Sequence, residues 1–394
     1  MILDKKTKKR ILAAFEKNTE YELLIRASRA QLEAKGLEVT YEFKSKNNPR
    51  SIVILKTMDD LKKIEDPLNK EVVPQVPEKQ YRALSTFNIG KVAKVRFSNF
   101  NEFSQNVITL QQSIINIKAD RAHELGLKGE DVRVAVVDTG VDHNHQLLEH
   151  RIINERSFVE FETPYDENGH GTWCASAVLA VAPEAKIVNA KGLDWVGDGE
   201  PLQLMKALDW AVTDESTNCQ IISCSWGDGD PFEELHQRII ELENTYGCKF
   251  IFAAGNRGPQ GGTMSYPGAY PEITSVGASA VINPKKDSIA SFSSRGPGPN
   301  HVIEPDICAP GGSEFEGILG AWPGDVFKAK KGTSMATPQV AGAIALLMGV
   351  ERAPQQVIDL LYRTARNPNN NEKDNDYGHG IIDIEAAIRH LNGK

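Results

Sequence analysis

Several classes of protein are excluded by what this sequence lacks. No uninterrupted apolar stretch is long enough to cross a bilayer. The N-terminus is basic, but the apolar run at residues 11–15 stops at Glu16-Lys17, too short for the hydrophobic region of a signal peptide. Cysteine is scarce, with five residues in 394. Cys174, Cys219, Cys224, Cys248 and Cys308 are an odd number without metal-site spacing, so reduced thiols in a cytoplasmic protein is the simplest reading. Positive charge is in deficit, the formal net charge being -8. A nucleic-acid partner would call for a basic face, and the Lys5–Arg10 cluster reads as a solvated terminus.

What remains is an ordinary globular composition, 40% hydrophobic and 25% charged. The length suits one large domain with a smaller one. Residues 1–18 read as a short charged helix. Strands follow at 21–27, 37–43, 51–55 and 71–76, with helices at 28–35 and from Thr57 towards Pro67. Asn47-Asn48-Pro49 marks a turn. The order β-α-β-β-α-β is a split βαβ arrangement, giving a small α+β, ferredoxin-like domain over residues 1–78. Residues 79–112 are poorly patterned and read as a linker or an extension of that domain.

From residue 113 the grammar becomes strand–helix alternation. The stretch VRVAVV (132–137) is almost wholly apolar, as in a parallel sheet covered on both faces. Similar strands are expected at 186–190, 221–225, 250–254 and 273–278, with helices at 172–179, 202–213 and 232–245. This is an α/β domain with a mostly parallel sheet and helices on both faces. In such sheets the chemistry gathers beyond the carboxyl ends of the strands.

Four polar residues stand at such places. Asp138 directly follows the VRVAVV strand. His170 lies between two glycines before a small-residue helix. Asn256 ends the strand at 250–254. Ser334 opens a charge-free helix after Gly332-Thr333. Singly, each has a structural reading: turn former, buried histidine, turn amide, helix cap. Together they are an acid, a base, an amide donor and a nucleophile, in the chain order Asp, His, Ser.

The motifs VAVVDTGVD (134–142), NGHGT (168–172), AAGN (253–256) and GTSMATPQVAG (332–342) make the chain similar to the subtilisin-like serine proteases, the subtilase family. SFSSRGP (291–297), PDICAPGG (305–312) and YGHGIIDIEAA (377–387) extend the resemblance over residues 113–394. It implies a serine endopeptidase in which Ser334 attacks, His170 moves the proton and Asp138 orients the imidazole. Asn256 and the Ser334 N–H would bind the oxyanion. It implies that Gly197-Asp198-Gly199 and Ser225-Trp226-Gly227 are two edges between which an extended peptide adds as a strand. It also implies that residues 1–78 act as a propeptide, inhibitor and chaperone of a self-processing zymogen. A catalytically silent peptide-binding protein on the same fold is the alternative function.

This sequence departs from the family at three places. Trp173 stands where the family often has His, and is expected to alter packing only. Leu147 replaces an Asp ligand of the family's strong calcium site, and no loop interrupts residues 175–183. No cofactor is therefore required; calcium is expected to be absent there and open elsewhere. Arg257 follows Asn256, and Ser265 stands near the floor of the pocket for the residue before the cleaved bond. The expectation is a roomy pocket that tolerates acidic side chains better than basic ones. The partners expected are polypeptide substrates and the chain's own N-terminal domain, with no nucleic acid and no membrane.

Overall fold

The computed structural model describes Glu33, the backbone of residues 21–25, 38–43, 50–55 and 92–93, and residues 107–280, 288–369 and 372–393. The expected helices at 1–18 and from Thr57, the turn at 47–49 and the strand at 71–76 lie outside the described residues. The chain divides into two compact units, Met1–Lys79 and Gln80–Lys394.

In the first unit β1 (Tyr21–Ile25), β2 (Glu38–Phe43) and β3 (Arg50–Leu55) form an antiparallel sheet ordered β1-β3-β2. The third strand lies between the first two, which is the pairing a split βαβ unit requires.

The second unit is built on an eight-stranded sheet. Parallel neighbours run β7 (Ile152–Ser157), β8 (Lys186–Lys191), β6 (Arg133–Asp138), β9 (Ile221–Cys224), β10 (Lys249–Ala253) and β11 (Thr274–Ala280). β13 (Ile307–Pro310) joins β11 in parallel, and β12 (Ser288–Ile289) joins it antiparallel. The central strands β6, β8, β9, β10 and β11 are buried over nearly their whole length, and Val134, Val136, Ile187, Ile221 and Ile251 have no or almost no exposed surface. Helices on both faces require that. After β6 the chain builds β7 and β8 on one side, then returns to place β9 on the other. β6 is therefore the switch point of the sheet, and it ends on Asp138.

Two helices form the centre of the core. α3 (His170–Val181) and α6 (Thr333–Leu347) are buried on nearly every side and carry no charged residue apart from His170. Small residues let them approach: a Cβ at Gly342 would lie 2.8 Å from the Val181 Cβ. Around them pack α1 (Leu110–Asn116), α2 (Ala119–Glu124), α4 (Pro201–Thr213), α5 (Glu233–Tyr246), α7 (Pro354–Thr364) and α8 (Ile384–Leu391). α7 buries Val357, Ile358, Leu360 and Leu361 at helical spacing.

A second sheet of four strands lies at the edge of this unit, in the order β4 (Val92–Ala93), β15 (Val326–Lys330), β14 (Gly317–Trp322) and β5 (Val107–Thr109). β4, β5 and the start of α1 fall in the stretch read from sequence as a linker. Strands of two or three residues leave no periodicity to read, yet β5 pairs in parallel with β14 and so belongs to this body. Among the described residues no helix is long and apolar enough to cross a membrane.

Candidate active site

Asp138 is the last residue of β6 and His170 the first of α3. The His170 Nδ1 lies 2.7 Å from Asp138 Oδ1, which also accepts the Thr139 N–H at 2.8 Å. Both side chains are buried. Burial alone would lower the His170 pKa, but the adjacent Asp138 carboxylate outweighs it and holds the imidazole well above its ordinary 6.5.

The two loops that carry this pair are fastened by groups the sequence motifs did not single out. Buried Asp166 accepts the Thr139 hydroxyl at 2.8 Å, the Gly169 N–H at 2.7 Å and the Thr172 N–H and hydroxyl at 2.8 and 2.6 Å. Burial raises its pKa and these hydrogen bonds oppose the rise. Lys191, fully buried at the end of β8, donates to the Thr139 and Tyr165 carbonyls and pairs with Glu162 and Glu167 at 2.9 Å. Gly169 is left-handed, φ +103°, and a Cβ there would fall inside the ring of Trp322.

Ser334 is the second residue of α6. Its hydroxyl donates to the Ser225 carbonyl at 2.9 Å, and the Ser225 hydroxyl donates back to the Ser334 carbonyl at 2.9 Å. The second bond has a cause in the sequence. Residue 338 is proline, so the amide that would normally bond the carbonyl four residues earlier is missing. Ser225 takes its place. The Cys174 thiol, one turn along α3 from His170, reaches the same carbonyl at 3.7 Å and lies 3.8 Å from His170 Nδ1. Thus Ser225 and Cys174 tie the start of α6 to β9 and to the histidine. The ligand atoms of Asp138, His170 and Cys174 lie within 4.8 Å of one another, close enough for a metal ion, though two of them already bond each other.

The N–H groups at the start of α6 face the opposite way. Thr333 donates its N–H and hydroxyl to Asn256 Oδ1 at 2.8 and 3.1 Å. That fixes the amide with Nδ2 as its donor end. The Met335 N–H is taken by Gly332 O at 3.0 Å. Between them stands the Ser334 N–H, a donor with no partner within the helix. An oxygen that gains negative charge here would meet an N–H, an amide and the positive end of a 15-residue buried helix.

Ser334, Thr333, Asn256, Arg257, Ser265, Trp226 and Gly227 line one narrow hollow. Trp226 forms its wall: its indole donates to the Val137 carbonyl at 2.8 Å and meets Phe252 edge-on at 5.0 Å. The small side chain of Ser265 does not make this pocket roomy, contrary to expectation. Arg257 folds over it, donating to Met264 O at 2.6 Å and to the Ser265 hydroxyl at 3.3 Å. Gly197-Asp198-Gly199 does not line this hollow. The N–H groups of Gly197 and Asp198 are held by the Asp194 carboxylate at 2.9 Å, closing a tight turn. Asp198 and Gly199 border a separate hollow lined by Glu160, Glu162, Asp194 and Glu200. Burial raises the Glu200 pKa, with Asp194 and Asp198 adding to it.

Trp173 is fully buried against Ile108, Ala177, Ile318 and Met335. Its indole N–H lies 3.2 Å from the Ile318 and Lys328 carbonyls, so it fastens the β14–β15 hairpin to the histidine helix. Gly320 makes that possible, since a Cβ there would meet the Trp173 ring at 2.5 Å.

A buried acid–base pair, and a serine hydroxyl beside a backbone N–H and an amide, are the groups with which serine hydrolases work. The comparisons narrow this. The sequence profile of the subtilase family matches residues 129–380. Subtilisin E of Bacillus subtilis (strain 168) is 36% identical over 304 residues, 73% of each chain. Subtilisin of Bacillus pumilus is 36% identical over 291 residues, 70% of this chain and 98% of its own. Serine protease AprX of Bacillus subtilis (strain 168) is 33% identical over 302 residues, 66% of this chain and 67% of its own. The chain belongs to the subtilase family and is a subtilisin-like serine endopeptidase.

Proposed function

We propose that Ser334 is the nucleophile of this endopeptidase and His170 its general base and acid. Asp138 orients His170. The Ser334 N–H and Asn256 Nδ2 form the oxyanion hole. The Asp138–His170 contact at 2.7 Å carries the reading, because it fixes the proton on Nδ1 and leaves Nε2 to take the serine proton. The Ser334 hydroxyl, which donates to the Ser225 carbonyl, turns to Nε2 when substrate enters, as hydrogen bonds of this kind often tighten only in the complex. Attack on the carbonyl places its oxygen between the two donors, and His170 then protonates the leaving amine. A substrate would lie extended beside Ser225-Trp226-Gly227, with Gly197-Asp198-Gly199 across from it.

The residue before the cleaved bond enters the pocket that Arg257 covers. A guanidinium hydrogen-bonded to neutral oxygens attracts an acidic side chain there and repels a basic one. A peptide library profiled with the enzyme is expected to show acidic residues over basic ones at that position. A strong preference for Lys or Arg refutes the assignment.

The chain is read further as a zymogen whose residues 1–78 inhibit and template the catalytic domain until removed. Intact masses of wild type and Ser334→Ala test this together with the triad. Loss of roughly the first hundred residues in the wild type alone is expected. A wild type active at full length rejects the propeptide and keeps the protease. At the loop after Asp138 we expect no calcium, because Leu147 offers no oxygen ligand there. Equal unfolding midpoints in chelator and in calcium check this. The cytoplasm is the proposed location, supported by five unpaired cysteines.

A further inference from the structure

The β14–β15 hairpin brings two ammonium groups to one indole. Lys328 Nζ lies 4.2 Å from the centre of the Trp322 ring and Lys330 Nζ lies 4.8 Å from it. The register explains the convergence. Lys328 and Lys330 are two apart on β15 and so share a face. Lys328 stands opposite Gly320, which has no side chain, and Val326 stands opposite Trp322 on that face. Lys330 is buried, with 6% of its surface exposed, while Trp322 and Lys328 are partly exposed. Burial and the neighbouring ammonium of Lys328 push Lys330 down to about 8.

The position of this ring relative to the reaction follows from the site above, on whose triad reading this inference rests. The residue before the cleaved bond occupies the pocket at Asn256, Arg257 and Ser265. The leaving amine takes its proton from His170, so the departing chain passes the histidine. Trp322 packs against Gly169, the residue before His170. Lys330 lies two residues before Gly332, at the entry to the Ser334 helix. The ring and its two cations therefore border the departing half of the substrate.

We propose that Lys328 and Lys330 on Trp322 form a subsite for an acidic side chain within the first three residues after the cleaved bond. Two cations converging on one partly buried spot recognise a carboxylate by charge and by N–H donation. The ring holds the ammonium groups in place through its face, and a carboxylate approaches from the solvent side.

The test uses the full-length enzyme as it matures and three sets of peptides. In each set Asp, Ala or Lys occupies the first, second or third position after a fixed cleavage point. We expect kcat/KM for Asp over Ala to be about tenfold at one of these positions, with Lys poorer than Ala. The preference should fall to about unity when Lys328→Met and Lys330→Met are combined. It should survive in Lys328→Arg with Lys330→Arg, and weaken as salt rises. An Asp-to-Ala ratio near one in the wild type overturns the proposal. So does a preference that persists undiminished in the Met pair. Ser334→Ala run alongside separates the two readings. If that variant cleaves like the wild type the triad assignment fails, while the Asp-to-Ala ratio still decides the subsite.

Discussion

Removing the Ser225 hydroxyl should destabilise the start of α6, and restoring an amide at position 338 should cancel most of that loss. The Ser334 carbonyl is buried and lacks its helical donor because of Pro338. Its partners are the Ser225 hydroxyl at 2.9 Å and the Cys174 thiol, a weak donor, at 3.7 Å. Ser225→Ala thus leaves a buried acceptor nearly unsatisfied, at a cost of about 1–3 kcal/mol. Pro338→Ala supplies an N–H four residues on, so Ser225→Ala in that background should cost about 1 kcal/mol less or better. The four proteins of this cycle are best compared with Ser334→Ala throughout, since that change keeps the carbonyl and stops self-cleavage. Urea unfolding followed by tryptophan fluorescence reads the free energies. Effects at independent sites add within about 0.3–0.5 kcal/mol. A coupling inside that range would show that Ser225 does not stand in for the missing helix bond.

Three further outcomes follow from the same geometry. Because Asp138 holds His170 above 6.5, and only the neutral imidazole accepts the serine proton, kcat/KM should rise with pH through a value above 6.5. Asp138→Asn should move that limb to lower pH and reduce kcat by about 10⁴, as in other triads; an unmoved limb would assign the titration elsewhere. Gly169→Ala forces a Cβ into the Trp322 ring at φ +103° and should lower kcat/KM at least about a hundredfold by misplacing His170, measured on any good peptide substrate. Glu304 is buried, bonded to the Ser275 hydroxyl at 2.6 Å, and burial together with Asp306 pushes it up to about 8 from an ordinary 4.5. A carboxyl raised on folding favours the protonated native state. Its stability contribution is full below 4.5 and is lost as pH rises to about 8. Glu304→Gln should flatten that decline by about 2–4 kcal/mol in denaturation curves taken across the range; parallel curves would refute it.

The sheet and the site differ in how far the sequence revealed them. β6, β8, β9, β10 and β11 are readable because each holds apolar residues buried on both faces, and Asp138, His170, Asn256 and Ser334 stand out as candidates because each lies where a strand ends or a helix begins. The capping-box spacing Thr109-x-x-Gln112 is the one local sign of α1, since a seven-residue helix offers little periodicity beyond it. β14 and β15 were missed because a hairpin pressed on a helix by one face and edged by short strands shows no clean alternation. Asp166 was invisible for another reason. Its five hydrogen bonds join residues on two loops, and no local pattern encodes a contact made only after folding. Arg257 was placed at the right pocket, but the fold of its side chain over Ser265 depends on carbonyls whose positions only the tertiary structure supplies.

The five thiols give the molecule a set of internal clocks. Cys174, Cys219, Cys224, Cys248 and Cys308 are all buried and unpaired, and they are spread over α3, the entry and end of β9, the entry to β10, and β13. A thiol reagent can reach each only when its own neighbourhood opens. The Cys174 rate reports the parting of α3 from α6, and therefore of the histidine from the serine, while the Cys308 rate reports the far edge of the sheet. Ordered labelling times would map the sequence in which this protease comes apart, with no probe added to it.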